Sequence, residues 1–87
     1  MHNVVISNSA AKELRSIKRG NRKLFDQIMD AIDDLAADPR PNGCVDLGGR
    51  DGYRIRVRGY RVLYTVNDGQ LLVVIVKVDT RGQVYKS

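Results

Sequence analysis

The sequence has 87 residues, of which 43% are hydrophobic and 29% are charged, and it carries a formal net charge of +5. We expect a single domain over residues 1–87 with a modest core, because a chain of this length buries only about 60–65% of its unfolded surface. No apolar run is long enough to span a bilayer, and charged residues begin by Lys12, so we expect neither a membrane span nor a signal peptide. Cys44 is the only cysteine, which excludes an internal disulfide and predicts a small, half-buried apolar side chain rather than a nucleophile. We expect a cytoplasmic location.

The excess of positive charge lies in the second half of the chain. Residues 1–47 contain seven lysines and arginines and seven acidic residues, whereas residues 48–87 contain eight lysines and arginines and three acidic residues. A basic excess confined to one half indicates a polyanionic partner, such as nucleic acid or an acidic protein segment. The alternative is a basic soluble surface without a specific ligand.

A short strand and a helix are predicted at the start of the chain. Val4–Ile6 is a run of β-branched residues, and Ser7-Asn8-Ser9 supplies side chains that cap helix N-termini. Apolar residues then recur at helical spacing, at Ala10, Leu14 and Ile17. Gly20 is a natural stop for this helix.

Asn21 is placed to cap a second helix. The apolar stripe of that helix consists of Phe25, Ile28, Ile32 and Leu35. The residue before a proline is driven out of the helical region, so we expect the helix to end near Asp38, just before Pro39. Two helices joined by a Gly-Asn turn predict an αα-hairpin with one apolar seam.

Four aspartates lie together on the second predicted helix, at Asp26, Asp30, Asp33 and Asp34. Clustered carboxylates suggest a metal site, but no histidine or cysteine accompanies them. Their spacing places them on the face away from the apolar stripe, which favours a solvated helix face. The sequence therefore predicts no metal site.

From residue 45 the hydrophobic period changes to two, which predicts strands. A brief strand is expected at Val45-Asp46-Leu47, followed by longer strands over 53–58, 60–66 and 71–76. Arg58-Gly59 and Asp68-Gly69 are predicted as two-residue hairpin turns, and the apolar run 71–76 is typical of a central strand covered on both faces. The order β-α-α-β-β-β-β predicts an α+β fold in which the helical hairpin packs on a small antiparallel β-sheet.

Arginines alternate with apolar residues in the strand predicted over 53–58. Successive side chains of a strand point to opposite faces, so Arg54, Arg56 and Arg58 are expected on one face. The other face is expected to bury Tyr53, Ile55 and Val57. Neighbouring like charges cost stability, and the forked guanidinium suits a phosphate or a carboxylate. The pattern therefore predicts an anion-binding surface.

A two-residue turn at Arg58-Gly59 predicts the register of the two strands that it joins. In this register the opposed pairs are Val57 with Tyr60, Arg56 with Arg61, and Ile55 with Val62. A slip by one residue would bury arginine. Arg61 is therefore expected on the same face as Arg54 and Arg56, on a rigid surface suited to one phosphate or to several along an RNA strand.

These motifs resemble the RelE/ParE toxin superfamily of bacterial and archaeal toxin–antitoxin systems, over nearly the whole chain. The resemblance is carried by Ser7-x-x-Ala10-x-x-x-Leu14, Asp38-Pro39-Arg40-Pro41, Leu47-Gly48-Gly49, Tyr53-Arg54-Ile55-Arg56-Val57, Gly59-Tyr60-Arg61-Val62-Leu63-Tyr64 and Arg81…Val84-Tyr85. It implies a RelE-like fold for the single toxin domain.

The resemblance implies one of two activities. RelE-like members are metal-free endoribonucleases that cut mRNA in the ribosomal A site, where the 2′-hydroxyl attacks the adjacent phosphate and leaves a 2′,3′-cyclic phosphate and a 5′-hydroxyl. ParE-like members instead poison DNA gyrase and lack the nuclease residues. A degenerate toxin that acts only as a binding partner and co-repressor is a third alternative. The nuclease positions are filled here with suitable residue types, which favours the nuclease branch.

The resemblance also assigns roles to site residues. Carried over to this sequence, the nuclease residues are Arg54, Arg56, Arg61, Arg81 and Tyr85. Arg61 and Arg81 would clamp the scissile phosphate, while Arg54 and Arg56 would hold the backbone and stabilise the transition state. Tyr85 would stack on a base or relay a proton, unless it only closes the end of the core.

Further RNA-binding residues are predicted at Arg50, Arg58 and Lys77. Lysine is common in the family at the positions of Arg54 and Arg56, and arginine does not deprotonate in proteins. The candidates for the general base are therefore Lys77, Asp79 and Tyr85. Asp79 also fits a turn at the end of a strand. A family arginine often lies near the position of Gly48, and Arg50 is the nearest substitute. No cofactor is expected.

The resemblance further implies the partners of the chain. A cognate antitoxin would cover the arginines with an acidic, partly disordered segment that folds on binding. Operator DNA would be bound indirectly, through the antitoxin. The ribosome and mRNA are the expected targets, and no membrane partner is expected.

Overall fold

The computed structural model describes residues 1–48 and 52–80, which form two helices and a five-stranded sheet. The strands are β1 (Asn3–Ile6), β2 (Val45–Asp46), β3 (Gly52–Val57), β4 (Tyr60–Asn67) and β5 (Leu72–Thr80), and the helices are α1 (Asn8–Gly20) and α2 (Arg22–Asp34). The strand order in the sheet is β1-β5-β4-β3-β2, so β4 is central. The predicted α+β layer of a helical hairpin on a small sheet is confirmed.

The sheet is mixed rather than wholly antiparallel. Strands β2 to β5 form the expected antiparallel meander, but β1 pairs in parallel with β5. The helices α1 and α2 share one core with the inner face of the sheet. The prediction of a central strand covered on both faces is therefore wrong for β5: Val73 and Ile75 are fully buried, whereas Val76 is 44% exposed.

Both helices begin at the predicted caps. The Ser7 hydroxyl accepts a hydrogen bond from the Ala10 N–H at 3.2 Å, and the Asn21 side chain accepts one from the Leu24 N–H at 3.0 Å. Such caps satisfy backbone donors that the first helical turn leaves without partners, and each contributes about 1 kcal/mol. The capping residues thus place the hairpin turn between Gly20 and Arg22.

The second helix ends earlier than predicted, at Asp34 rather than near Asp38. The three residues after Asp34 each donate to the carbonyl three positions back, at 3.1 to 3.2 Å, so the chain tightens into turns. The proline rule marks the last residue that a helix can reach. The switch to three-residue hydrogen bonds after Asp34 ends the regular helix before that point, and the Asp38 N–H then donates to the Asp34 carbonyl at 3.0 Å.

One apolar core joins the helices to the sheet. The buried side chains are Ala10, Leu14 and Ile17 from α1, Ile28, Ile32 and Leu35 from α2 and its cap, and Ile55, Val62, Tyr64, Val66, Val73, Ile75 and Val78 from the strands. The predicted stripe residue Phe25 is only half-buried, and the Lys18 ammonium lies over its ring at 5.3 Å. The four aspartates of α2 are exposed, as predicted for a solvated face.

The two predicted hairpin turns differ in outcome. Arg58 and Gly59 form a tight two-residue turn with positive φ angles of 54° and 87°, as expected. The connection from β4 to β5 is instead a four-residue loop, because Asn67 pairs with Leu72. The Asn67 side chain accepts a hydrogen bond from the Gln70 N–H at 3.0 Å, which stabilises the longer loop.

A polar network ties this loop to the rest of the chain. The Asp68 carboxylate accepts a hydrogen bond from the Arg40 guanidinium at 3.0 Å and lies 3.1 Å from the His2 imidazole. Arg40 also donates to the Tyr53 hydroxyl at 2.9 Å. The hydrogen bonds from Arg40 and then from His2 hold the pKa of Asp68 below its usual value. This network closes the end of the sheet opposite the 58–59 turn.

Candidate functional site

Six side chains form a compact grid on the outward face of the sheet, the face away from the helices. Directly opposed residues of neighbouring strands share a face, so the pairing defines two parallel rows. One row runs Arg56, Arg61, Asp79 across β3, β4 and β5, and the next runs Arg54, Leu63, Lys77. We call these six residues the arginine platform.

The strand register that creates the arginine platform is the predicted one. Val57 lies opposite Tyr60, Arg56 opposite Arg61, and Ile55 opposite Val62. The sequence-predicted site residues Arg54, Arg56 and Arg61 are therefore brought together on one face. Four of the six platform residues are cationic, and one is acidic.

Arg61 is held by a two-point ion pair. Its Nε donates to Asp79 Oδ1 at 3.0 Å, and a terminal nitrogen donates to Asp79 Oδ2 at 3.1 Å. The side chains of Arg61 and Asp79 are 24% and 23% exposed, so the pair is largely shielded from water. Lys77 lies farther from the same carboxylate, at 3.7 Å, and is 58% exposed. Arg61 is thus fixed, whereas Lys77 extends into solvent.

Arg54 carries a buried donor without a partner. Its Nε is shielded from solvent and makes no hydrogen bond within residues 1–48 and 52–80. A buried N–H that lacks an acceptor costs about 1–3 kcal/mol, so natural proteins rarely keep one without a use. The unpaired donor is therefore a local cost of keeping an arginine at this position of β3.

A bulge in β5 brings Lys77 and Asp79 onto the arginine platform. Leu63 pairs with Lys77 but Tyr64 pairs with Ile75, so Val76 is an extra residue on β5. An inserted residue reverses the facing of every side chain after it. Asp79 was expected at a turn; it lies instead within β5, facing Arg61.

The start of α1 is bonded to the same bulge. The Ser7 N–H donates to the Ile75 carbonyl at 2.9 Å, and the Ser7 hydroxyl donates to the Val76 carbonyl at 2.9 Å. The carbonyl of Val76, the extra residue of the bulge, therefore accepts a hydrogen bond from the residue that caps α1. Ser7 is a residue that the sequence identified only as a cap.

The structure separates Arg58 from the arginine platform. Strand β3 ends at Val57, and Arg58 takes the left-handed first position of the turn. Its side chain lines a cavity of about 200 Å³ beside the start of α2, together with Asn21, Lys23, Leu24 and Gln27. The expectation of three arginines in one row is thus wrong for Arg58, because a strand-length alternation cannot continue through a tight turn.

Three predicted site residues, Arg50, Arg81 and Tyr85, lie outside the described residues. The platform residue to which sequence reasoning gave no role is Leu63, which lies between Arg54 and Lys77 in the second row. Its position on the arginine face follows from the alternation of β4. The signal was present, but a leucine among arginines does not suggest a binding role.

The arginine platform has the chemistry of a phosphate clamp. Guanidiniums supply fixed positive charge and paired donors that match phosphate oxygens. Within residues 1–48 and 52–80, no group of three or more His, Cys, Asp or Glu side chains is placed to hold a metal ion.

Neither α1 nor α2 is long and apolar enough to cross a membrane, and these are the only helices in the described part of the chain.

Comparison with known proteins agrees with this architecture. A curated relative from Methanocaldococcus jannaschii, named as the toxin RelE1, is 29% identical over 98% of this chain and 96% of its own length. The archaeal RelE–RelB complex from Pyrococcus horikoshii superposes with a TM-score of 0.79 at 27% identity, over 94% of this chain and 97% of that one. The isolated E. coli RelE toxin gives a TM-score of 0.79 at 26% identity, over 98% and 92% of the two chains. The model of the ParE toxin family of type II toxin–antitoxin systems (parDE) matches residues 4–85. The chain therefore belongs to the ParE toxin family, within the RelE/ParE superfamily of type II toxin–antitoxin toxins.

Proposed function

We propose that this toxin is a ribosome-dependent endoribonuclease that cleaves mRNA in the A site and so inhibits translation. The single observation that carries the proposal is the arginine platform, on which Arg54, Arg56 and Arg61 share one strand-built face. In this reaction the mRNA 2′-hydroxyl attacks the adjacent phosphate. The products are a 2′,3′-cyclic phosphate and a 5′-hydroxyl end.

The arginine platform suits the charge that develops in this reaction. Attack on the phosphate concentrates negative charge on its non-bridging oxygens, and fixed donors aimed there lower the barrier. Arg61 meets this need because its guanidinium is held by Asp79 on a rigid strand. Arg56 stands directly opposite Arg61. The scissile phosphate would lie between Arg56 and Arg61, with Arg54 on the backbone beside it.

The remaining roles rest on the family resemblance. Arg81 would complete the clamp, and Tyr85 would stack on a base or relay a proton. Arg50, Arg58 and Lys77 would contact RNA outside the scissile phosphate, with Arg58 in the 58–59 turn and off the arginine platform. Arginine cannot serve as the general base. Both Asp79 oxygens accept hydrogen bonds from Arg61, so of the three candidates named from the sequence we propose Lys77 or Tyr85.

We further propose a cognate antitoxin as the physiological partner. The structures similar to this chain include RelE bound to RelB from Pyrococcus horikoshii and E. coli. An acidic segment that folds over the arginine platform would neutralise its charge and block access of RNA. Operator DNA would be contacted through the antitoxin, and the toxin released from it would act in the cytoplasm, where ribosomes are found.

A second candidate function is inhibition of DNA gyrase without nuclease activity. The observation that favours it is the match of the ParE toxin model to residues 4–85. The arginine platform favours the nuclease, because phosphoryl transfer is helped by fixed positive charge at the phosphate. If neither mRNA cleavage nor gyrase inhibition is found, the remaining alternative is a degenerate toxin that acts only as a co-repressor.

Two assays on the purified wild-type chain distinguish these functions. The first is primer extension on mRNA held in programmed ribosomes, with a matched message that carries a 2′-deoxynucleotide at the attacking position. The second is DNA supercoiling by gyrase. We expect cleavage of the all-ribose message at the A-site codon, no cleavage of the 2′-deoxy message there, and unchanged supercoiling. Inhibited supercoiling with both messages intact would overturn the proposal in favour of the gyrase inhibitor.

A further inference from the structure

Asp79 is the one acidic side chain on the arginine platform. A carboxylate at a phosphate site repels the ligand, since like charges at short range raise the free energy of the bound state. Its presence on this face therefore calls for a compensating role. The described geometry offers one, because both Asp79 oxygens are directed at Arg61.

The contact between the two side chains fixes an orientation. A carboxylate that accepts from Nε and from one terminal nitrogen lies in the plane of the guanidinium and prevents its rotation. The distances of 3.0 and 3.1 Å are those of well-formed hydrogen bonds. The two residues also face each other across the β4–β5 ladder, so neither backbone is free to move away.

The fold uses a specific irregularity to bring Asp79 to this position. The bulge at Val76 turns Asp79 outward while Val78 stays in the core, where it is 3% exposed. Without the extra residue, the strand alternation would direct Asp79 toward the helices and Val78 toward solvent. The Ser7 hydrogen bond to the Val76 carbonyl supports the bulge from the helix cap.

We infer that Asp79 is a positioning residue for phosphoryl transfer: its carboxylate holds the Arg61 guanidinium in the orientation that receives the scissile phosphate. This inference rests on the proposed nuclease function. Asp79 contacts no substrate in this account and acts through Arg61. A misplaced catalytic group costs about a hundredfold in rate, so loss of the carboxylate slows cleavage even though it makes the arginine platform more positive.

The test compares Asp79→Asn with wild type in two measurements. The first is the single-turnover rate of A-site cleavage at saturating protein, together with the affinity for a non-cleavable 2′-O-methyl RNA. We expect Asp79→Asn to bind this RNA as tightly as wild type or more tightly, and to cleave about tenfold to a hundredfold more slowly. Asp30→Asn, which makes the same charge change at an exposed position of α2, is the control and should cleave at the wild-type rate.

A double-mutant cycle separates positioning from a general structural role. In an Arg61→Ala background, Asp79→Asn should cause no further loss of rate, because the group that it orients is gone. Additive losses in the double variant would overturn the inference, as would wild-type or faster cleavage by Asp79→Asn alone. If Asp79→Asn fails to fold, Asp79→Glu is the second variant: it keeps the charge but displaces the carboxylate, and should also slow cleavage.

The second measurement needs no nuclease activity. The Arg61 Nε–H signal in a nitrogen-15 NMR spectrum should exchange slowly with water in the wild-type protein and rapidly in Asp79→Asn. If wild type leaves the message intact, the proposed function fails, and the NMR comparison alone decides whether Asp79 fixes Arg61. Equal exchange rates in the two proteins would overturn the inference whatever the activity.

Discussion

Arg56 and Arg61 lie directly opposite each other on β3 and β4, on the same outward face of the sheet. Two like charges at opposed positions destabilise a sheet by up to about 1 kcal/mol. Asp79, opposite Arg61 on the other side, offsets part of this repulsion. The row nevertheless keeps a net positive charge, as a phosphate site requires.

This relationship predicts a change in the salt dependence of RNA binding. Each phosphate contact to single-stranded nucleic acid contributes about 0.7 to the slope of log affinity against log salt. Arg56→Gln should therefore reduce that slope by about 0.7. The measurement is titration of a non-cleavable 2′-O-methyl RNA at several salt concentrations. Arg15→Gln, at an exposed position of α1, is the control and should leave the slope unchanged. Equal reductions in both variants would show that net charge alone governs binding.

The buried donor of Arg54 predicts a conflict between stability and function. Methionine keeps the aliphatic part of the Arg54 side chain and places a methyl group where the Nε lies, which has no acceptor in the described part of the structure. We expect Arg54→Met to leave the free energy of unfolding unchanged or to raise it by about 1 kcal/mol, while RNA binding weakens. Urea denaturation and RNA titration of the same protein check both expectations. A fall of more than about 1 kcal/mol would mean that the guanidinium is structurally satisfied in the fold.

The network around Asp68 predicts a dependence of stability on pH. Arg40 and His2 hold the pKa of Asp68 below its usual value, so the folded protein binds the Asp68 proton less readily than the unfolded chain does. The resulting stabilisation is fully present above the unfolded pKa of about 3.9, and it is lost as the pH falls through the lowered folded value. Asp68→Asn should therefore lower the denaturation midpoint at pH 7, and its difference from wild type should shrink in acid below about pH 4. A difference that stays constant with pH would show that Asp68 acts through loop geometry rather than charge.

Part of the arginine platform was predictable because local and long-range signals agree. The alternation in β3 and β4 and the Arg58-Gly59 turn all require the same register, and any slip would bury arginine. That agreement explains why the pairing of Arg56 with Arg61 could be predicted from the sequence. The Asp68-Gly69 turn lacked such support, and the side chain of Asn67 determined a longer loop instead.

The β5 half of the arginine platform was not predicted, because it depends on one inserted residue. Strict alternation from Val73 and Ile75 places Asp79 in the core, where an aspartate would be costly. The sequence holds a weak signal of the bulge. Val73 and Ile75 alternate as buried residues, but the next apolar residue that could continue this face after Lys77 is Val78, one position later than strict alternation requires. Local pattern does not reveal that the Ser7 hydroxyl, far away in sequence, would bond to the Val76 carbonyl.

The most direct test of the central claim is the single-turnover rate of A-site mRNA cleavage by Arg61→Ala, with Arg15→Ala as the matched control. Both variants lose one arginine, but only Arg61 lies on the arginine platform. We predict that Arg61→Ala loses at least about a hundredfold in rate, as expected when a donor to the developing oxyanion is removed. Arg15→Ala should match wild type, and both variants should remain folded by circular dichroism. Cleavage by Arg61→Ala at the wild-type rate would contradict the account and remove the arginine platform from the reaction.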